Sequence, residues 1–269
     1  MNAKEFMLSC CAVAALAAGA SEPQVIKLST DGEAVLTVYH PEKSCGVAVV
    51  DCPGGGYQHL AMEHEGTQWA PFFNERGITY AVLKYRMPKG DRSIPMSDAQ
   101  NAVKMMRDSA AVWGINPEKV GIMGFSAGGH LASTTSVHAT GVSKPDFQIL
   151  FYPVITMQKG KTHEGSAVNF LGANRDNQAL VDKHSNEMQV TASTPPAILL
   201  LSTDDNVVTP LENGVAYYTA LKKAGVNATL HVYPFGGHGW GIRDTFGSHG
   251  EMLDNLSTWL QLCILPQSK

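Results

Sequence analysis

Residues 119–132 read KVGIMGFSAGGHLA, and the fold turns on how this stretch is read. Residues 120–123 form a short apolar run, the pattern of a strand buried on both faces. Residues 128–132 open a helix of small side chains. Between them Gly124-Phe125-Ser126-Ala127-Gly128 matches G-x-S-x-G. A serine on a sharp strand-to-helix turn is raised above the sheet, and the strained backbone is tolerated only where its neighbours are tiny. A plain connection has no need of such a turn. Gly129 adds room for the helix to pack close to neighbouring strands.

Outward from this turn, apolar runs alternate with helical patterns. Residues 25–29 and 34–39 alternate in polarity around a Thr30-Asp31-Gly32 turn, as in a hairpin. Strands are expected at 46–50, 78–85, 147–154, 198–202 and 228–233. Helices are expected at 67–75, from a Ser97-Asp98 cap to about Trp113, to about His138, at 213–224 and at 251–263. The alternation predicts an α/β fold, a doubly wound and mostly parallel sheet with an antiparallel N-terminal strand. A short insertion follows the sixth strand. It includes 156–194, a stretch too long for a simple crossover and therefore read as a lid or pocket wall.

The chain has 269 residues, 44% of them hydrophobic, enough for one substantial core. Net charge is −4 and no Lys/Arg run occurs. Nucleic acid and anionic membrane surfaces, which demand a basic face, are thereby excluded as partners. Residues 1–20 carry Lys4, an uncharged run and a small-x-small Ala18-Gly19-Ala20 site. They read as a signal peptide too short to span a bilayer, with lipoprotein processing at Cys11 as the alternative. The expectation is a secreted or periplasmic single catalytic domain over 21–269, with no integral membrane span. Cleavage would leave Cys45, Cys52 and Cys263. The first two are expected on one strand, roughly 23 Å apart and on opposite faces. All three read as small hydrophobes, and no zinc spacing is present.

A serine hydroxyl needs a base, a group to orient that base, and donors for an oxyanion. Of ten histidines, His238 fits the base, being surrounded by glycines on a loop after the last strand. His130, on the helix behind Ser126, reads as packing, His249 as exposed, and His59 and His64 as possible pocket lining. The acid should follow the preceding strand, where Asp204 and Asp205 are adjacent. Asp204 is the choice because it stands three before Val207 in a D-x-x-V turn, with Asp205 as the alternative. The order Ser–Asp–His is that of α/β-hydrolases. Gly54-Gly55-Gly56 offers oxyanion amides together with that of Ala127. A phosphate cradle is disfavoured, because no G-K-[ST] follows. No cofactor motif and no metal site is evident.

Several motifs then stand in a familiar order: Pro53-Gly54-Gly55-Gly56-Tyr57, Leu83-Lys84-Tyr85-Arg86-Met87-Pro88, the serine turn, Asn169-Phe170-Leu171-Gly172, the 204–208 turn and Gly236-Gly237-His238-Gly239. The chain resembles secreted bacterial α/β-hydrolases of the BD-FAE and acetyl xylan esterase-like group, relatives of the prolyl oligopeptidase catalytic domain. The resemblance implies Ser126 as nucleophile, His238 as base, Asp204 as orienter, and Gly55, Gly56 and Ala127 as oxyanion donors. It implies a serine carboxylesterase that removes acetyl or other small acyl groups from plant cell-wall oligo- or polysaccharide, without a cofactor. Pro53 stands where many relatives have histidine, and a proline cannot orient the loop by a side-chain hydrogen bond. Tyr57, His64 and Trp240 are the expected substrate-binding residues. Two other readings are a prolyl oligopeptidase-type peptidase, for whose gating domain the chain has no room, and a non-catalytic binding module, which would normally have lost a triad member.

Overall fold

The computed structural model describes residues 22–265; the expected signal peptide, with Cys11, lies outside them. Eight strands form one sheet: β1 (Gln24–Lys27), β2 (Val35–Tyr39), β3 (Ala48–Cys52), β4 (Thr79–Lys84), β5 (Val120–Phe125), β6 (Gln148–Phe151), β7 (Ala197–Ser202) and β8 (Ala228–Tyr233). Their spatial order is β1-β2-β4-β3-β5-β6-β7-β8. β2 pairs antiparallel with β1 and with β4, and every later pairing is parallel. The doubly wound architecture expected from the alternation is therefore present.

The helices are α1 (Ala70–Asn74), α2 (Ser93–Asp108), α3 (Ala110–Trp113), α4 (Ser126–His138), α5 (Glu164–Leu171), α6 (Gln178–Lys183), α7 (Ala216–Lys223) and α8 (His249–Cys263). Successive strand residues point to opposite faces, so the continuous apolar runs supply two cores at once. Val50, Ile122, Leu150 and Leu199 join the core containing residues of α2, α4 and α7. Val49, Met123, Ile149 and Ile198 join the one containing residues of α1 and α8. The helix α4 is buried almost all round although it is rich in hydroxyls. Ser133, Thr135 and Ser136 donate to the carbonyls of Gly129, Leu131 and Ala132, four residues back, which satisfies them without water.

Three expectations change. The second helix starts at Ser93, not at a Ser97-Asp98 cap, and Asp91, just ahead of it, accepts the Ser93 amide at 3.0 Å. Asp98 is instead buried, and it accepts from the Arg86 amide, Nε and Nη2 at 2.9, 3.1 and 2.7 Å. Cys45 stands before β3 rather than on one strand with Cys52. The insertion after β6 is not irregular throughout, since α5 and α6 lie within it.

Strand order sets the site. β3 lies between β4 and β5, so chain direction across the sheet reverses there, and the carboxyl ends of such strands open a crevice. Cys52 pairs with Gly124, which puts the glycine loop after β3 directly beside Ser126 after β5.

Candidate active site

Ser126 begins α4 in the left-handed region, at φ 52°. Its neighbours are glycine for steric reasons. A Cβ on Gly124 would stand 2.3 Å from the Gly128 carbonyl oxygen, and one on Gly128 only 1.9 Å from that of Cys52. The turn thus delivers the hydroxyl to the crevice at the positive end of a helix.

The Ser126 hydroxyl donates to His238 Nε2 at 2.8 Å, and His238 Nδ1–H donates to Asp205 Oδ2 at 2.7 Å. With Nδ1 holding its proton on a carboxylate, Nε2 presents a lone pair to the serine. Asp205 is buried, 3% exposed. Its other oxygen accepts the amides of Val207 and Val208, both at 2.9 Å, so the turn itself aims Oδ2 at the imidazole. The expectation for Asp204 is corrected accordingly. Asp204 is exposed and accepts the Gly237 amide at 2.8 Å, bracing the loop that carries His238 without touching the ring. That hydrogen bond holds its carboxyl below the usual range.

Facing the serine, the Gly54–Gly56 loop is anchored on three sides. Pro53 O accepts the Tyr85 hydroxyl at 2.8 Å, Gly54 N donates to Glu65 Oε2 at 3.0 Å, and Gly56 O accepts from Asn169 Nδ2 at 2.8 Å. The amides of Gly55, Gly56 and Ala127 donate to no partner among the described residues, as oxyanion donors require. Gly55 adopts φ 132°, and a Cβ there would meet the His59 carbonyl oxygen at 2.2 Å. The carboxyl of Glu65 is buried, which pushes its pKa up, against the Tyr152 hydroxyl, the His238 imidazole and the Gly54 amide. No three histidine, cysteine or acidic side chains converge on a metal position among the described residues. No helix among them is long and apolar enough to cross a membrane.

With this geometry in place, the sequence pattern of the alpha/beta hydrolase fold matches residues 49–242, a span containing Ser126, Asp205 and His238. The chain belongs to the alpha/beta-hydrolase family. An acetylxylan esterase of Xylanibacter ruminicola is 41% identical over 270 residues, covering 99% of this chain and 56% of that protein. An endo-1,4-beta-xylanase B of Butyrivibrio fibrisolvens is 36% identical over 202 residues, covering 70% of this chain and 31% of that one. This alpha/beta hydrolase therefore spans about half or less of the length of these relatives. Among solved structures, an acetyl ester-xyloside bifunctional hydrolase from Caldicellulosiruptor lactoaceticus superimposes with a TM-score of 0.80 at 31% identity, covering 88% of this chain and 95% of that one.

The three expected substrate contacts are largely packed into the protein in this alpha/beta hydrolase. Trp240 is 4% exposed, stacked on Phe246 at 4.2 Å, with Nε1 donating to Ser202. It is held as loop packing, and the little of it that is exposed adds to the wall of the cavity beside His238. Tyr57 is 2% exposed, with its hydroxyl on His130 Nδ1 at 2.8 Å, and it forms only part of the wall of a cavity of about 470 Å³ with Asn169 and Lys89. His64 is half-buried, and its carbonyl ties the Trp69 ring and the Ile242 amide together. The aromatic beside the base that does reach solvent is Phe235, 76% exposed, which lines a cavity of about 450 Å³ with His238 and Arg243. His130 is buried, as expected of packing, and His249 is half-buried rather than exposed.

Proposed function

We propose that the protein is an exported serine carboxylesterase that removes acetyl or other small acyl groups from plant cell-wall oligo- or polysaccharide. The observation that carries this reading is the unbroken Ser126–His238–Asp205 chain of 2.8 and 2.7 Å hydrogen bonds. The substrate class rests on the acetylxylan esterase relative and on the acetyl ester-xyloside hydrolase fold neighbour. Export rests on the leader pattern of residues 1–20.

In this reading Ser126 Oγ attacks the ester carbonyl carbon while its proton passes to His238 Nε2. The carbonyl oxygen becomes an oxyanion held by the amides of Gly55 or Gly56 and Ala127. Collapse breaks the bond to the sugar oxygen, which takes the proton from Nε2 and leaves, with the acyl group now on Oγ. Water then attacks the acyl carbon, losing its proton to Nε2. Acetate departs and Oγ regains its proton. Asp205 holds the imidazolium through Nδ1. Because the leaving sugar must reach Nε2, it lies on the His238 side, where Phe235 offers an exposed ring face.

The test is acetate release from acetylated xylo-oligosaccharides and from an aryl acetate by wild type, Ser126→Ala and Phe235→Ala. Release from both substrates that depends on Ser126 is expected, with Phe235→Ala raising KM several-fold for the oligosaccharide alone. Cleavage of the aryl acetate only would remove the polysaccharide assignment. Release unchanged in Ser126→Ala would remove the serine mechanism.

A further inference from the structure

The two loops that carry the chemistry are far apart in sequence, and one buried carboxylate joins them. Glu65 is 3% exposed, and a buried carboxylate is tolerable only where its oxygens are hydrogen-bonded. Oε2 accepts the Gly54 amide at 3.0 Å, at the start of the oxyanion loop. Oε1 accepts the Tyr152 hydroxyl at 2.8 Å, and that hydroxyl in turn accepts the Gly241 amide at 2.8 Å, on the loop of the base. The Tyr152 ring stands 4.8 Å from the His238 imidazole at 63°. Tyr152 holds this place in the left-handed region, at φ 33°, a conformation that costs a non-glycine residue energy.

The same arrangement accounts for Pro53. With no N–H and no polar side chain, proline cannot steer the loop it begins. The first amide that can be gripped is that of Gly54, and Glu65 grips it from beneath the loop. With that amide occupied, those of Gly55 and Gly56 are the next two in the chain and stay free of internal partners.

We infer that Glu65 is a positioning residue for ester hydrolysis: through Gly54 on one side and Tyr152–Gly241 on the other, it fixes the oxyanion amides at a set distance from the imidazole. This rests on the serine-esterase reading above. Oxyanion contacts strengthen only as the tetrahedral centre forms, so loosening them lowers kcat and leaves KM nearly unchanged. Glutamine at 65 can accept from only one of the two donors, because its second terminal atom is an NH₂ group.

The experiment measures kcat and KM for an aryl acetate, per active site titrated, in wild type, Glu65→Gln and Tyr152→Phe, with Ser126→Ala as the blank. Tyr152→Phe cuts the arm to Gly241 and leaves Gly54 held. The expected result is a kcat about 10- to 100-fold lower in Glu65→Gln and about 10-fold lower in Tyr152→Phe, with KM within threefold of wild type. Affinity for an aryl boronic acid, which forms a tetrahedral adduct on the serine, should fall in parallel with kcat/KM. A kcat per titrated site equal to wild type, or a loss confined to KM, overturns the inference. If Glu65→Gln does not fold, Tyr152→Phe decides alone by the same criterion. Wild type without Ser126-dependent turnover overturns the esterase reading itself, and this inference with it.

Discussion

Asp204 and Asp205 differ by one position, and the turn they share gives them opposite surroundings. Asp205 is held by two amides and the imidazole, whereas Asp204 is exposed and braces the Gly237 amide. Asp205→Asn should therefore lower kcat by about 10⁴-fold, the cost of losing the tautomer that leaves Nε2 free. Asp204→Asn should stay within about tenfold, since only an exposed brace of the loop is weakened and the asparagine Oδ1 can still accept the Gly237 amide. Steady-state kinetics of the two variants checks the ranking, and the reverse order would return the role to Asp204. Sequence patterning found Ser126 and His238 because their glycine frames are local. It could not choose between adjacent carboxylates, because their directions depend on a turn stabilised by its own amides. Trp240 and Phe235 make the same point: both are aromatics close to the base, and only the packing of Phe246 on Trp240 decides which one faces solvent.

At the scale of elements, the contact between β3 and α4 is the tightest of those made by glycines among the described residues. A methyl on Gly128 would stand 1.9 Å from the Cys52 carbonyl oxygen and 2.5 Å from that of Pro53, so helix and glycine loop would have to separate. Gly128→Ala should cost about 3 kcal/mol or more of stability and remove activity. Gly250→Ala, in α8 with nothing within 4 Å, should be neutral or stabilise by about 0.5 kcal/mol. Thermal melting of the pair checks this, and equal melting temperatures would contradict it. Most strands and helices were legible from apolar periodicity. The misplaced start of α2 came from reading Asp98 as a cap when it is the partner of Arg86, a pairing across tertiary structure. Glu65 gave no signal at all, because nothing local marks a carboxylate that will be buried beneath a loop eleven residues earlier.

Across the whole molecule, the insertion is tied to α4 through histidines. His130 Nε2–H donates to the His184 carbonyl at 2.9 Å, and Nδ1 accepts the Tyr57 hydroxyl at 2.8 Å. Burial holds His130 neutral down to about 4, and burial together with nearby cations holds His184 neutral down to about 3. The unfolded chain takes up these protons near pH 6.5. Stability is therefore full above that pH and falls as pH drops towards 4, by on the order of 3 kcal/mol from His130 alone. Urea midpoints at pH 7 and pH 5 should differ accordingly, and His130→Gln should show a smaller difference; an equal pH dependence in both proteins would contradict the assignment. The doubly wound class was evident from the alternation of elements. The strand order that brings the glycine loop against Ser126 was not, because pairing between β3 and β5 spans some seventy residues of chain.

The measurement that bears most directly on the account is labelling with a fluorophosphonate, followed by peptide mapping. It reads activation of the serine without depending on any substrate. The account predicts one adduct, on Ser126, formed at a near-normal rate in Asp204→Asn and almost abolished in Asp205→Asn and in His238→Ala. Labelling at another residue, or a rate on Ser126 that Asp205→Asn leaves unchanged, would contradict it.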